Sequence, residues 1–434
     1  MLQIIINPNH WKPMPGNRSS RSQVRTTLLI MLLVTMPFLN GCQPMIQPPE
    51  AGTASTTPAL NDELFAKLDA QVEEAMTTYG VPGMALGVVK DGALVYAKGF
   101  GVAEIGSERS VTPSSIFLLS SIAKTFTSTA IMQLVAAGKV DLDGLVTDYL
   151  PYFTLTDERY RAITIRHLLS HTSGLPEYGY SEVGQDPQYD DEALERYVRS
   201  LSTMELSFAP GEGWDYSSIG YDVLGDIVAK VSGQIFERYI AEHILQPLGM
   251  NNTTFLLDEA DKNLLVAPHI PDTTGNTVVS NVFPYDRIHG PDTNLYSTIE
   301  DMARYVAAHL HEGTLDDAQL LAPAAYDELW QVHGETWFPP DYERHYGLGW
   351  TLGDYKGHRL IGHGGVDIGF NTFIGLLPEE EMALLLFTNF SSIASQDAAE
   401  WILPAFFTRD ALLDTLLGIE ADTLQVFENR VVPL

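Results

Sequence analysis

The sequence predicts an α+β fold: an antiparallel sheet built from both termini, flanked by helices, with a mainly helical inserted domain. Three observations carry this expectation. Strand-like runs stand near the start, MALGVVK and ALVYAKGF, and return late as HRLIGHGG, GFNTFIGLL and MALLLFTN. Between about Asp141 and Glu343 the pattern is mainly helical, broken by polar and Pro/Gly loops. The length of 434 residues exceeds one ordinary single-core domain, so a two-part architecture is expected.

Taken in chain order, residues 1–42 read as a leader. Lys12, Arg18, Arg21 and Arg25 all precede the first acid, Glu50. The apolar run TTLLIMLLVTMPFL is short for a membrane span and suits a signal-peptide core. It ends in Leu39-Asn40-Gly41-Cys42, which resembles the lipobox of bacterial lipoproteins. That resemblance implies a lipidated Cys42 at the mature N-terminus and an exported chain held to the cell envelope by its lipid anchor. Cys42 is the only cysteine, so no intramolecular disulfide staples the fold. Residues 43–59, rich in Pro and Thr, read as a flexible tether.

The folded part is expected over 60–434, with the sheet from about 60–140 and 344–434 and the helical insertion over about 141–343. DELFAKLDAQVEEAM carries apolar residues at helical spacing. Asp91-Gly92 between two strand-like runs predicts a tight hairpin. In FLLSSIAKTFTS, residues 117–128, Ser120 or Ser121 predicts a helix N-cap, and the helix runs to a stop at Gly138. ITIRHLLSHTSG reads as a short helix closed by Gly174, and YDVLGDIVAKVSG as an amphipathic one closed by Gly233. Ser297-Thr298-Ile299-Glu300 predicts a capping box opening another helix. The last strands turn at Pro378-Glu379-Glu380-Glu381, and a final helix is expected over ASQDAAEWILPAFF.

The formal net charge of −31 excludes nucleic acid and anionic lipid headgroups as natural partners. Chemistry points elsewhere. A serine and a lysine three apart on a helix lie on one face, with side-chain bases about 5–6 Å apart. A neutral lysine there could take the serine proton, and a helix N-terminus favours the developing negative charge. The chain has nine lysines, and Lys124 alone has a serine, Ser121, three residues before it. The bland alternative is a capped helix followed by a surface lysine.

The surroundings decide between these. FLLSSIAKTFTSTAIMQLVAAGKVDLDGLVTDYLP resembles the nucleophile box of the serine β-lactamase and penicillin-binding-protein superfamily. ITIRHLLSHTSGLP is similar to the next landmark of its class C and esterase-like branch. PGEGWDYSSIGYDVLG resembles its tyrosine box, and LYSTIEDMARY, YGLGW and IGHGGVDIGF follow in family order. The resemblance runs from about Leu60 to Phe407. It implies that Ser121 attacks a carbonyl to form an acyl-enzyme, that Lys124 is the general base, and that Tyr216 relays the proton to the leaving group. Ser218 stands where the family commonly has Asn. His363-Gly364-Gly365 replaces the usual Lys-Thr-Gly, so His363 would face the cleft and Gly365 would let substrate approach the strand. The oxyanion hole would use the N–H groups of Ser121 and Val366.

Competing readings are weaker. No G-x-S-x-G elbow occurs, against an α/β-hydrolase. His167 and His171 have a metal-ligand spacing without H-E-x-x-H, so neither metal nor cofactor is expected. His309 and His311 read as solvent-facing, while Trp214 and Tyr178 either line the cleft or pack. The expected partner is a small-molecule or peptide substrate: cell-wall or D-amino-acid peptides, or esters. The alternatives are a β-lactamase proper, disfavoured by the His box, and a non-catalytic penicillin-recognising receptor. The sequence leaves the oligomeric state open.

Overall fold

Asp91 and Gly92 both take positive φ, +51° and +76°, and turn β1 (Gly83–Lys90) back onto β2 (Ala93–Gly101) as predicted. This hairpin is one edge of an eight-stranded antiparallel sheet. The other strands come from far along the chain: β3 (Gly334–Glu335), β4 (His345–Tyr346), β5 (Thr351–Tyr355), β6 (His358–Asp367), β7 (Phe370–Leu377) and β8 (Met382–Thr388), in spatial order β2-β1-β8-β7-β6-β5-β4-β3. The computed structural model describes residues 58–177, 187–336, 344–392, 400–420 and 432–433. All belong to one compact unit, Ser55–Leu434. Cys42, its apolar run and most of the expected tether lie outside the described residues. Among the described residues no helix is long and apolar enough to cross a membrane.

The sheet is covered on both faces, which is why its central strands are apolar throughout rather than alternating. Met84, Leu86 and Val88 of β1 pack with Leu384 and Leu386 of β8 into one core. α1 (Asp62–Tyr79) and the last long helix, Pro404–Leu417, close that core with Leu68, Val72, Leu412 and Leu416. Ala85, Val89, Leu385 and Phe387 face the larger core on the other side, among the residues of the helical region.

That larger core is organised around α2 (Ala123–Ala136), a helix buried on nearly every side. Its polar residues are satisfied internally: Thr127 Oγ1 donates to Pro291 O at 2.6 Å and Ser128 Oγ to Leu348 O at 2.6 Å. α3 (Ile165–Leu169), α4 (Ser218–Ser232) and α5 (Ile299–Leu310) complete the framework, and the last long helix, Pro404–Leu417, is α6.

Several local expectations are corrected. Neither Ser120 nor Ser121 caps α2; they form a 3-10 turn, Ser120–Ile122, and make no capping hydrogen bond. α3 ends at Ser170, and His171, at φ +59°, turns the chain well before Gly174. The cap of α5 is Thr298, whose hydroxyl accepts the Asp301 N–H at 3.1 Å; Ser297 is a strand residue hydrogen-bonded to Thr253. The final helix starts at Pro404, later than expected, because Pro lacks the N–H an interior turn needs and suits a first turn. Residues 394–399 of that expectation lie outside the described residues. His309 does not face solvent. It is fully buried, hydrogen-bonded through Nδ1 to Tyr326 Oη at 3.0 Å and edge-on to Trp350.

Candidate active site

The entry to α2 holds Ser120 and Ser121. Ser120 takes φ +53°, a strained setting for a residue with a side chain. Its hydroxyl is buried with no hydrogen-bond partner among the described residues. Ser121, one residue on, keeps solvent access. The strained turn thus buries one serine and presents the next.

Ser121 Oγ stands 3.3 Å from Lys124 Nζ and is hydrogen-bonded to the Tyr216 phenol. Lys124 is fully buried, and its Nζ also reaches Ser218 Oγ at 3.1 Å, the Asp292 carbonyl at 3.1 Å and Asp292 Oδ2 at 3.4 Å. It lies 4.9 Å from the centre of the Tyr216 ring. The surface-lysine alternative is therefore excluded. Burial holds the Tyr216 pKa well above its usual value, so the phenol keeps its proton until a partner takes it. Ser218 opens α4, whose first turn is ordered by the Ser217 hydroxyl accepting the Gly220 N–H. The Ser218 N–H donates to Glu177 Oε2 at 2.6 Å. Glu177 keeps an exposed edge, yet the protein packed around its carboxylate raises its pKa to about 7 against the pull of Lys124.

β6 forms the opposite wall. A Cβ on Gly364 would overlap Phe406 of α6, so His363 and Gly365 point the other way, toward the serine turn. His363 faces the cleft side but is nearly closed off, only 4% exposed. Its Nδ1–H donates to Gly364 O at 2.7 Å and its Nε2 accepts the Tyr346 O–H at 3.0 Å. Burial, and then the charge of Lys124, lowers its pKa to about 3, so the ring is neutral. The space a Cβ on Gly365 would need is filled by the Leu119 carbonyl and the Thr372 hydroxyl.

β5 pairs with β6 only as far as Gly362, so residues 363–367 leave one side of the strand uncovered by β5. The Gly362 and Gly364 carbonyls are taken from that side, by Thr351 and by the His363 ring. With the two-residue alternation of an antiparallel ladder, the Val366 N–H points to the same open side.

The two histidines at metal-ligand spacing are each engaged by the backbone. His167 Nδ1 accepts the Thr164 N–H and His171 Nδ1 accepts the Ser217 N–H. His171 instead packs under Tyr216 at 4.3 Å and Tyr346 at 4.6 Å. Trp214 packs near His171 and Tyr346, and Tyr178 lies outside the described residues. Among the described residues one cluster has metal-ligand spacing, Asp222, His289 and Asp292. His289 Nδ1 already donates to Asp222 Oδ2 at 3.1 Å and Lys124 already pairs with Asp292, so both acids are already engaged by cationic or donor groups of the protein. Asp292, Glu177, His171 and Tyr346 are the site neighbours sequence reasoning missed. Two surface cavities, near Arg287 and near Trp330, do not include Ser121.

Comparison with known proteins follows the same lines. The family described as Beta-lactamase matches residues 68–406. "Penicillin-binding protein 4" of Amycolatopsis lactamdurans is 32% identical over 319 residues, covering 72% of this chain and 82% of that protein. "Protein flp" of Staphylococcus aureus (strain MW2) is 26% identical over 335 residues, 77% of this chain and 64% of that longer protein. The octameric penicillin-binding protein homologue from Pyrococcus abyssi superposes with a TM-score of 0.70 at 30% identity, covering 82% of this chain and 77% of its own. The D-amino acid amidase from Ochrobactrum anthropi SV3 gives 0.71 at 22% identity, covering 82% and 99%; at that identity the likeness concerns the fold.

Proposed function

The chain belongs to the Beta-lactamase family, a family of serine hydrolases, and on that premise we propose that Ser121 opens amide or ester bonds of cell-wall or D-amino-acid peptides, or of simple esters, through an acyl-enzyme. The observation that carries this reading is the placement of the Ser121 hydroxyl between Lys124 Nζ, at 3.3 Å, and the Tyr216 phenol. As Ser121 Oγ bonds to the substrate carbonyl carbon, its proton passes to the Lys124 amine and the carbonyl π pair moves to oxygen. The Ser121 and Val366 N–H groups hold that oxyanion. When the carbon–leaving-group bond breaks, Tyr216 gives its proton to the departing nitrogen or oxygen, and Lys124 returns one to the phenolate. Water then repeats the sequence to release the acid.

A neutral His363 supports uncharged acyl groups over carboxylate-bearing β-lactams. The leader ending in Cys42 supports an exported, lipid-anchored enzyme working at the cell envelope, where such peptides occur. Incubation with a fluorescent penicillin and with an activated ester, followed by intact mass, tests the reading. Ester turnover with slow or absent penicillin release is expected. Rapid penicillin turnover would make the protein a β-lactamase, and stable penicillin label without turnover of any ester or peptide would make it a receptor.

A further inference from the structure

Behind Lys124 lies a buried group of ionisable side chains that the acyl-enzyme scheme does not use. Asp292, His289 and Asp222 are 1%, 5% and 0% exposed. Their position is built from two helices. Thr127 of α2 grips the Pro291 carbonyl at 2.6 Å. On α4, Gly225 lies one turn after Asp222, and a Cβ there would overlap the Pro291 ring. The Pro291-Asp292 step is thus wedged between α2 and α4, with Asp292 facing Lys124 and Asp222 together.

The hydrogen-bonding capacity of Lys124 then becomes informative. The Asp292 carbonyl and Oδ2 can only accept, and both lie within reach of Nζ, at 3.1 and 3.4 Å. A neutral amine has two N–H donors and one lone pair. With both donors on Asp292, the lone pair is left for the hydroxyl side, where Ser121 and Ser218 stand. We propose that Asp292 is a positioning residue of the reaction: it aims the Lys124 lone pair at Ser121, stabilises the ammonium once the Ser121 proton arrives, and is itself held by His289 and Asp222. This rests on the serine–lysine reading given above. The proton balance is unchanged by it, since the proton leaves Oγ for Nζ and Asp292 stays a carboxylate.

The electrostatics agree with this arrangement. Against its own burial, Asp292 is held at about 2 by Lys124 and His289. Burial and the Asp292 charge push Asp222 well up, making it the neutral member, with its proton toward Asp292. Burial opposes the charge on His289, but the two acids outweigh it and the ring stays cationic.

Replacing Asp292, which pairs with Lys124, should therefore change the pH dependence of the reaction. The other groups around Lys124 and Asp292 are Glu177 and His171 from the segment after α3, Tyr216 and Tyr221 at α4, and His363 and Asp367 on β6. Of these Glu177, at about 7, titrates within the pH range scanned, so each variant is also made with Glu177→Gln.

The experiment is kcat/KM for nitrophenyl acetate across pH, in the full chain. Asp292→Asn should lower the plateau and move the acid limb down by about 1–3 pH units, the usual effect of losing an opposite charge at this distance. Asp292→Glu should return the limb toward its original place. His289→Gln should move it the other way, upward, because the Asp292 charge is then less compensated. A plateau that falls while the limb stays fixed in Asp292→Asn, or limbs that move in the same direction in both variants, would overturn the proposal. Ester hydrolysis that survives in Ser121→Ala would instead overturn the underlying site assignment.

Discussion

The Leu119 carbonyl oxygen occupies the space that a side chain on Gly365 would need. The same oxygen accepts the Thr372 hydroxyl at 3.0 Å, so the residue two before Ser121 is seated against β6 and β7. A single missing methyl group therefore sets the distance between Ser121 and the strand that carries Val366.

Gly365→Ala should push that turn away from the strand. Overpacking of this kind costs about 1–3 kcal/mol of stability. A misplacement of about 1 Å at a reacting group costs on the order of 10²-fold in rate. Thermal unfolding and kcat/KM measured together check this, and wild-type activity in a folded Gly365→Ala protein would refute the packing account.

His363 is buried and neutral, so it should contribute no charge to substrate choice. The ratio of kcat/KM for a carboxylate-bearing ester to that for an uncharged one should stay within about two-fold in His363→Gln at about pH 6, where an ordinary imidazole is largely protonated. A several-fold fall in the ratio would show that the ring carries charge in the cleft after all.

His309 offers a stability test. Burial lowers its pKa to about 3. The unfolded chain takes up this proton near pH ~6.5 and the folded chain does not, so the stability from His309 is full above that value and drains away as the pH falls toward about 3. The slope is about 1.4 kcal/mol per pH unit for one proton. His309→Gln should be less stable than wild type at neutral pH and should close the gap by that slope in acid. Denaturation curves that stay parallel from pH ~6.5 down to ~4 would contradict the assignment.

Cys42→Ser should move the protein from the membrane fraction to the soluble one. A lipid anchor at Cys42 would be the attachment, and firm anchoring needs more than one acyl chain. Continued membrane retention of the variant would rule out Cys42 as the attachment point.

Much of the fold was legible because its signals are local. Asp91-Gly92 has the backbone freedom a two-residue hairpin needs, and MALLLFT has no polar face because helices cover both sides of β8. The Ser121–Lys124 pair was legible because three residues of helix bring the two together whatever surrounds them. The misreadings share one cause, that tertiary context outranked local preference. Ser120 and Ser121 resemble caps, but they form a 3-10 turn that buries Ser120 and leaves Ser121 accessible. His309 stands near a helix end, yet Tyr326 and Trp350 close over it. Asp292 had no local signal: it meets Lys124 across 168 residues because Thr127 and Gly225 fix Pro291 between two helices.

The central claim is that Ser121 carries the acyl group, and peptide mapping of a fluorophosphonate adduct tests it most directly. Ser120 is buried and has no hydrogen-bond partner among the described residues, whereas Ser121 lies beside both Lys124 and Tyr216. The label should fall on Ser121 in the wild-type protein, persist on Ser121 in Ser120→Ala and vanish in Ser121→Ala. Label retained by folded Ser121→Ala, or mapped to any other residue in the wild type, would contradict the account.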